Sequence, residues 1–461
     1  MCIVLFFSIV IGKTVTFLSR KLRLGGGSSF PGRIALRFCP PLIRRLSGRF
    51  PAGTVLVTAT NGKTTATRMV AAGLRACGLR VVYNVSGANM AGGIATALIE
   101  AVSFRGRFAA ELGVFEVDEG SFSRVAPQLA PRAVLIGNFF RDQLDRYGEV
   151  SILAARIGAS IRALPETPFL IINGDDPIVA SVAEGYSGVI RTFGLESPES
   201  SLQGEQSEAD IRNCPLCHAF LEYSNIYLGH LGEYSCPGCG FSRRKLFYSA
   251  SAIMIFGFEG QCFQFSADRQ KHEVRIKMPG RHAVYNTLAA LSLLHTLGQN
   301  PVLAIQRFAD FEPPYGRFER FLINGRQLYL ILIKNPAGAN VVLRMLGEVG
   351  LSGGCLCFLN DLSADGRDIS WIYDVHFELL SGLSWAAAGG RRGEDMALRL
   401  VYAGIREDSV FLEKEYVSAL DAALNKTEEG GVLPVFATYT AMHQFRSALA
   451  QRTEVSDFWE E

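Results

Sequence analysis

The stretch Thr54-Val55-Leu56-Val57-Thr58-Ala59-Thr60-Asn61-Gly62-Lys63-Thr64-Thr65 constrains this chain more than any other. Its first five residues are β-branched or leucine and read as a buried strand. A glycine-containing loop follows, and Ala66 to Leu79 has helical periodicity. Strand, loop and helix N-terminus in that order bring backbone N–H groups and a positive dipole end to one point, which is where phosphate binds. Lys63 would neutralise the β- and γ-phosphates, and the Thr64 hydroxyl would hold Mg²⁺. The strict phosphate-loop pattern carries one more glycine, five residues before Gly62, where this chain has Val57. A bare Gly-Lys-Thr recurs by chance, so it is the placement between strand and helix that carries the reading.

Further strands are predicted at Arg80-Val81-Val82-Tyr83, Leu112 to Val117, Ala133 to Gly137 and Phe169 to Ile172, with helical stretches between them. Alternation of this kind predicts an α/β fold with a doubly wound, mostly parallel sheet. A chain of 461 residues is too long for one core. We expect an N-terminal helical segment over 1–48, a central ATP-binding domain over 49–316 and a C-terminal α/β domain over 317–461. The last of these has strands predicted near Leu328 to Leu332, Cys355 to Leu359 and Leu433 to Ala437.

Cys2 to Ile11 is mostly apolar and is followed by Lys13, Arg20, Lys21 and Arg23. It is too short to span a bilayer and lacks the basic start and cleavage site of an export signal. Two readings stand: a buried helix, or an amphipathic, basic-edged helix resting on a membrane surface. The scattered thiols fit a cytosolic protein with reduced cysteines.

Four segments carry chemistry beyond the loop. Phe115-Glu116-Val117-Asp118-Glu119-Gly120 closes a predicted strand with three carboxylates, either solvated turn residues or a site for Mg²⁺, Glu116 foremost. Asn138 to Glu149 is a dense polar run at the same sheet edge. Cys214-x2-Cys217-x18-Cys236-x2-Cys239, with Pro215, Pro237, Gly238 and Gly240 around it, has the spacing of a closed tetrahedral Zn²⁺ site, inserted at about 205–245. Such a site has no open position, so its zinc would be structural. His218 is expected to be exposed. In Gly280-Arg281-His282-Ala283-Val284-Tyr285-Asn286-Thr287-Leu288-Ala289-Ala290, His282 and Asn286 fall on one helix face. The net charge of +2 and the lack of an aromatic–basic cluster speak against a nucleic-acid-binding zinc protein.

Together these motifs, with Gly316-Arg317-Phe318-Glu319, resemble the Mur ligase superfamily. Lys334-Asn335-Pro336-Ala337-Gly338, Asn360-Asp361, Asp365 to Asp374 and Tyr439-Thr440-Ala441-Met442, with the four-cysteine insertion, narrow the likeness to ligase subunits of lipid II isoglutaminyl synthase. The resemblance implies that ATP phosphorylates the α-carboxylate of D-glutamate in the lipid II stem peptide. Ammonia from a separate glutaminase subunit then displaces phosphate. It further implies that Thr60, Asn61, Gly62, Lys63, Thr64 and Thr65 bind phosphate and Mg²⁺, that Glu116 is a metal ligand, and that Asn286 and Arg317 contact ATP. It implies that Asp374 acts on the partner's Cys–His pair. The runner-up is a ligase of the same superfamily that adds an amino acid, of the peptidoglycan or folylpolyglutamate type.

Overall fold

A computed structural model describes residues 3–21, 29–84, 88–140, 150–196, 211–312, 317–351 and 353–452. The chain divides into two compact units, one of Met1–Met254, Cys262–Lys277 and Arg281–Phe311, the other of Ile255–Gln261, Met278–Gly280 and Glu312–Glu461.

The first unit opens with three helices, α1 (Ile3–Lys21), α2 (Phe30–Phe38) and α3 (Leu42–Ser47). Then come β1 (Thr54–Thr58), α4 (Lys63–Ala76), β2 (Val81–Tyr83), α5 (Ala91–Ala101), β3 (Leu112–Glu116), α6 (Phe122–Leu129), β4 (Ala133–Ile136), α7 (Val150–Arg162), β5 (Phe169–Asn173), α8 (Pro177–Val182) and β6 (Ile190–Leu195). The hairpin β7 (Glu222–Leu228) and β8 (Leu231–Ser235) is followed by β9 (Tyr248–Ile255), β10 (Gln261–Ala267), β11 (Gln270–Ile276), α9 (Arg281–Thr296) and α10 (Pro301–Phe308). Nine strands form one sheet in the order β11-β10-β9-β6-β5-β4-β1-β3-β2. Strand β1 pairs in parallel with β3 on one side and β4 on the other. Every residue of β1, β3 and β4 is buried, as a parallel strand covered by helices on both faces must be. The chain winds from β1 toward β2 and β3, then back across to β4, so the winding reverses beside β1. Ligands bind at such a reversal, beyond the C-terminal ends of the strands. The five strands predicted here, β1 to β5, agree with the observed ones within one residue at either end. Helix α4, by contrast, starts at Lys63 rather than Ala66, because Gly62 already serves as its N-cap.

Helix α1 is neither wholly buried nor wholly free. Leu5 and Ile9 pack into the core that also holds Leu42, Ile94 and Phe115, while Phe7 and Phe17 are exposed. The expectation of a buried N-terminal helix is therefore met on one face only.

The second unit contains β12 (Arg317–Ile323), β13 (Arg326–Leu332), α11 (Pro336–Val349), β14 (Gly354–Phe358), β15 (Trp385–Gly389), α12 (Gly393–Tyr402), β16 (Val410–Leu412), α13 (Tyr416–Lys426), β17 (Val432–Ala437) and α14 (Tyr439–Leu449). Its sheet runs β12-β13-β17-β14-β15-β16. Asn324-Gly325 turns the antiparallel β12–β13 hairpin with both residues at positive φ, the chemistry a two-residue hairpin demands. The remaining pairs are parallel, with one hydrophobic cluster around Cys355, Ile372 and Met396 and another around Leu356, Leu420 and Phe445.

Candidate active site

Gly62 caps α4 with φ near 81°, a left-handed conformation that glycine adopts without strain. A Cβ there would come within 2.1 Å of Asn286 Oδ1, so Asn286 of α9 lies directly against the loop. Asn138, just past β4, clasps the loop from the other side. It accepts from the Asn61 N–H at 2.9 Å through Oδ1 and donates from Nδ2 to the Asn61 carbonyl at 3.0 Å. Its carbonyl accepts from Thr60 N–H at 2.8 Å. The Thr60 hydroxyl oxygen accepts from the Phe140 N–H at 3.2 Å. A pocket opens here, with Thr58, Asn61, Gly62, Lys63, Asn138 and Asn286 among its walls. Thr64 is half-buried and Thr65 buried.

Lys63 is buried, and its ammonium donates to Glu119 Oε2 at 2.7 Å. Of the three carboxylates at the end of β3 and just beyond it, Glu119 is thus the counter-ion of the loop lysine. Asp118 accepts from Gly120 N–H and Ser121 N–H and shapes the turn. Glu116 is 1% exposed. Its Oε1 accepts from Asn89 Nδ2 at 3.0 Å, and Asn84 pins its backbone through both N–H and carbonyl. Its Oε2 is enclosed and has no hydrogen-bond partner among the described residues; neither has Asn61 Nδ2. A buried carboxylate with one oxygen held and the other unsatisfied is a cost to the fold unless a cation completes it. An enclosed carboxylate oxygen at the C-terminal end of β3 fits a hard cation such as Mg²⁺.

Helix α9 also carries His282, held neutral because burial pushes it down to about 4, and Tyr285. The Tyr285 hydroxyl donates at 2.7 Å to Asp175 Oδ2, which also accepts from Leu195 N–H at 2.8 Å. Arg243 donates to Asp175 Oδ1 at 2.7 Å and to Glu233 Oε1 at 2.8 Å. Burial raises the Asp175 carboxyl to about 6 against the opposing pull of Arg243 and Tyr285. The neighbouring Asp176 caps α8 and accepts from Phe139 N–H at 2.8 Å. One buried carboxylate thus ties α9 to the segment that follows the cysteine hairpin.

The four cysteine sulfurs lie within 4.8 Å of one another. Cys214 and Cys239 are 3.7 Å apart and Cys217 and Cys236 3.4 Å apart, with all four thiols free. Tetrahedral Zn–S bonds of about 2.3 Å set sulfurs roughly 3.8 Å apart, so the cluster has the size of a Zn²⁺ site. Cys214 and Cys236 sit in a small apolar cluster with Tyr223, Ile226, Tyr234 and Phe241. His218 is exposed, with φ of 64°.

In the second unit, motifs far apart in sequence meet at the C-terminal edge of the sheet. Asn335 caps α11 by accepting from Gly338 N–H at 2.7 Å. Asn360 N–H donates to the Thr438 hydroxyl at 2.9 Å, and Asn360 Nδ2 donates to the Thr440 hydroxyl at 2.9 Å. Asp365 accepts from Thr440 N–H at 2.7 Å. Asp374 ends a 3₁₀ turn over Ser370–Asp374. Its side chain is exposed, and its carbonyl accepts from Asn340 Nδ2 at 3.2 Å. The side chain of Arg317 and residues 141–149, which include Gln143, lie outside the described residues.

Of the residues expected from sequence, Thr60, Asn61, Gly62, Lys63, Thr64, Thr65, Glu116 and Asn286 belong to the first unit, and Asp374 to the second. Sequence reasoning did not single out Asn84, Asn89 or Asp175. The only signal they carry is that each closely follows a β-strand.

Residues 57–294 match the Mur ligase middle domain and residues 332–442 the MurT ligase C-terminal domain. The lipid II isoglutaminyl synthase (glutamine-hydrolyzing) subunit MurT of Streptococcus pneumoniae is 33% identical, covering 93% of this chain and 94% of its own. The protein of the same name from Staphylococcus aureus strain COL is 32% identical over 85% of this chain and 86% of its own. Among solved structures, a pseudomurein peptide ligase type C from Methanothermus fervidus superposes with a TM-score of 0.67 at 21% identity, covering 88% of this chain and 80% of the other. That likeness bears on the fold alone.

Proposed function

Because the chain belongs to the MurT branch of the Mur ligase family and is an ATP-dependent ligase, we propose that it converts the α-carboxylate of D-glutamate in the lipid II stem peptide to D-isoglutamine. The carboxylate oxygen attacks the γ-phosphorus of ATP and ADP leaves. Ammonia then attacks the carbonyl carbon, phosphate departs, and the nitrogen loses a proton. The observation that supports this reading best is the enclosed, unsatisfied Oε2 of Glu116 at the same sheet edge as the Gly62–Lys63 loop.

Within this proposal the backbone N–H groups of Asn61 to Thr65 cradle phosphate at the start of α4. Glu119 keeps Lys63 at the pocket wall, where the γ-phosphate can take over its charge. Asn286, and Arg317 by family likeness, contact the nucleotide. Thr64 and Glu116 would hold Mg²⁺, which when bound would neutralise charge on the phosphate oxygens. The four cysteines hold one structural Zn²⁺.

The relatives are subunits of a glutamine-hydrolysing enzyme. We assign the partner as the glutaminase subunit GatD, with the exposed Asp374 orienting the histidine of its Cys–His pair. We retain the division at 48 and 316 as the working domain boundaries. The test is to co-purify the chain with the glutaminase subunit and assay amidation of lipid II. Glutamine- and ATP-dependent D-isoglutamine is the expected product. ADP release supported by an amino acid and not by ammonia would transfer the protein to the amino-acid-adding ligases.

A further inference from the structure

Helix α1 turns much of its apolar surface outward. Soluble surface helices turn a polar face to water and an apolar one to the core. Here the buried face includes Ser8, Gly12, Thr16 and Ser19. The Ser8 and Thr16 hydroxyls bond to the carbonyls of Val4 and Gly12 in their own helix. Gly12 is needed for close packing, since a Cβ there would reach within 2.8 Å of Ile99. Leu5 and Ile9 also reach the core, but other large side chains point the other way: Ile3 is 73% exposed, Phe7 57%, Phe17 65% and Leu18 47%. At 100° per residue these positions share one face, about 28 Å long for a helix of 19 residues. Helix α2 packs against α1 and adds exposed Phe30 and Phe38.

The first three helices carry charge of one sign, although Glu100 of α5 lies near Lys13 of α1. Residues 1–50 contain nine Lys or Arg and no Asp or Glu, and the first acidic residue of the chain is Glu100. The whole chain carries only +2, so the imbalance is local. Lys21, Arg33 and Arg37 are exposed on α1 and α2. Among the described residues no helix is long and apolar enough to cross a membrane.

We propose that the outer face of α1 lies in the interface of an anionic lipid bilayer, its aromatic and aliphatic side chains among the acyl chains and the cations of α1 and α2 on the headgroups. A partner protein would satisfy the apolar face, but an anionic membrane also accounts for the unbroken run of positive charge. This inference goes beyond the proposed reaction and does not depend on it.

The experiment is co-sedimentation of the full-length chain with vesicles of phosphatidylglycerol and phosphatidylcholine, and with phosphatidylcholine alone. Binding should require the anionic lipid and weaken as salt rises. Phe7→Ser and Phe17→Ser should each lower partitioning about tenfold, and Arg33→Gln and Arg37→Gln each about fivefold. Thermal unfolding should be unchanged, because these side chains are exposed. Amidation of detergent-solubilised substrate should survive all four substitutions, which separates this proposal from the assigned reaction. Absence of binding to anionic vesicles, or equal binding by the phenylalanine variants, overturns it. So does self-association that Phe7→Ser abolishes without any vesicle binding, which would make the face a contact between copies.

Discussion

Replacing Lys63 by alanine should do two separable things. Lys63 and Glu119 are 10% and 5% exposed and 2.7 Å apart. Truncating the lysine leaves a buried carboxylate without its counter-ion, which costs about 3–5 kcal/mol when the charge cannot escape to water. Both groups lie beside an open pocket, so the lower end, about 3 kcal/mol, is the expected loss in urea unfolding at neutral pH. Lys63→Ala should also abolish ATP-dependent turnover. The double variant Lys63→Ala/Glu119→Gln removes the orphaned charge and should regain most of the stability while staying inactive. Measuring unfolding and ADP release on all three proteins separates folding from chemistry. If the double variant recovers turnover with its stability, Lys63 is a structural cation and the phosphate assignment fails. Near-normal turnover in the single variant refutes it as well.

Three further outcomes are expected. Freshly purified, reduced protein should contain about one zinc per chain, and Cys214→Ser or Cys236→Ser should lose it; metal analysis finding none in the parent protein would remove the zinc assignment. Asp374→Asn should suppress glutamine-dependent amidation by as much as ~10⁴-fold, the scale set by loss of an orienting aspartate in a serine-protease triad, while amidation from added ammonia persists; equal loss with both donors would place Asp374 in the ligase site. Asp175 has its folded value raised to about 6, so its contribution to stability is fully present below about pH 4 and lost as pH rises through 6; Asp175→Asn should remove that dependence, changing the stability difference from the parent by on the order of 2–3 kcal/mol across the window, and a pH-independent difference would refute it.

The parallel strands around β1 were legible because buried parallel strands leave apolar runs and the Gly62–Lys63 loop marks where one of them ends, whereas their order in the sheet was not. The cysteine cluster was legible for a similar reason, since two short Cys-x2-Cys turns leave little freedom in how four sulfurs can gather. The division of labour among Glu116, Asp118 and Glu119 was not. Three carboxylates within four residues look alike until backbone geometry turns one toward Asn89, one onto its own turn and one onto Lys63. The Asn138 clasp and the Asp175 network were hidden because their partners lie 77 and 110 residues away, and no local pattern records a buried contact at that range. The outward face of α1 was legible only as one of two open readings. A run of ten mostly apolar residues has no period that tells its packed side from its bare one.

The most direct test of the central claim follows one oxygen. Lipid II labelled with heavy oxygen in the α-carboxylate of its D-glutamate is incubated with the chain, its glutaminase subunit, glutamine, ATP and Mg²⁺, and the phosphate released is examined by mass spectrometry. If the carboxylate is activated as an acyl phosphate, one labelled oxygen appears in inorganic phosphate for each amide formed. Label transferred to AMP, or amide formed with no label in phosphate, contradicts the account.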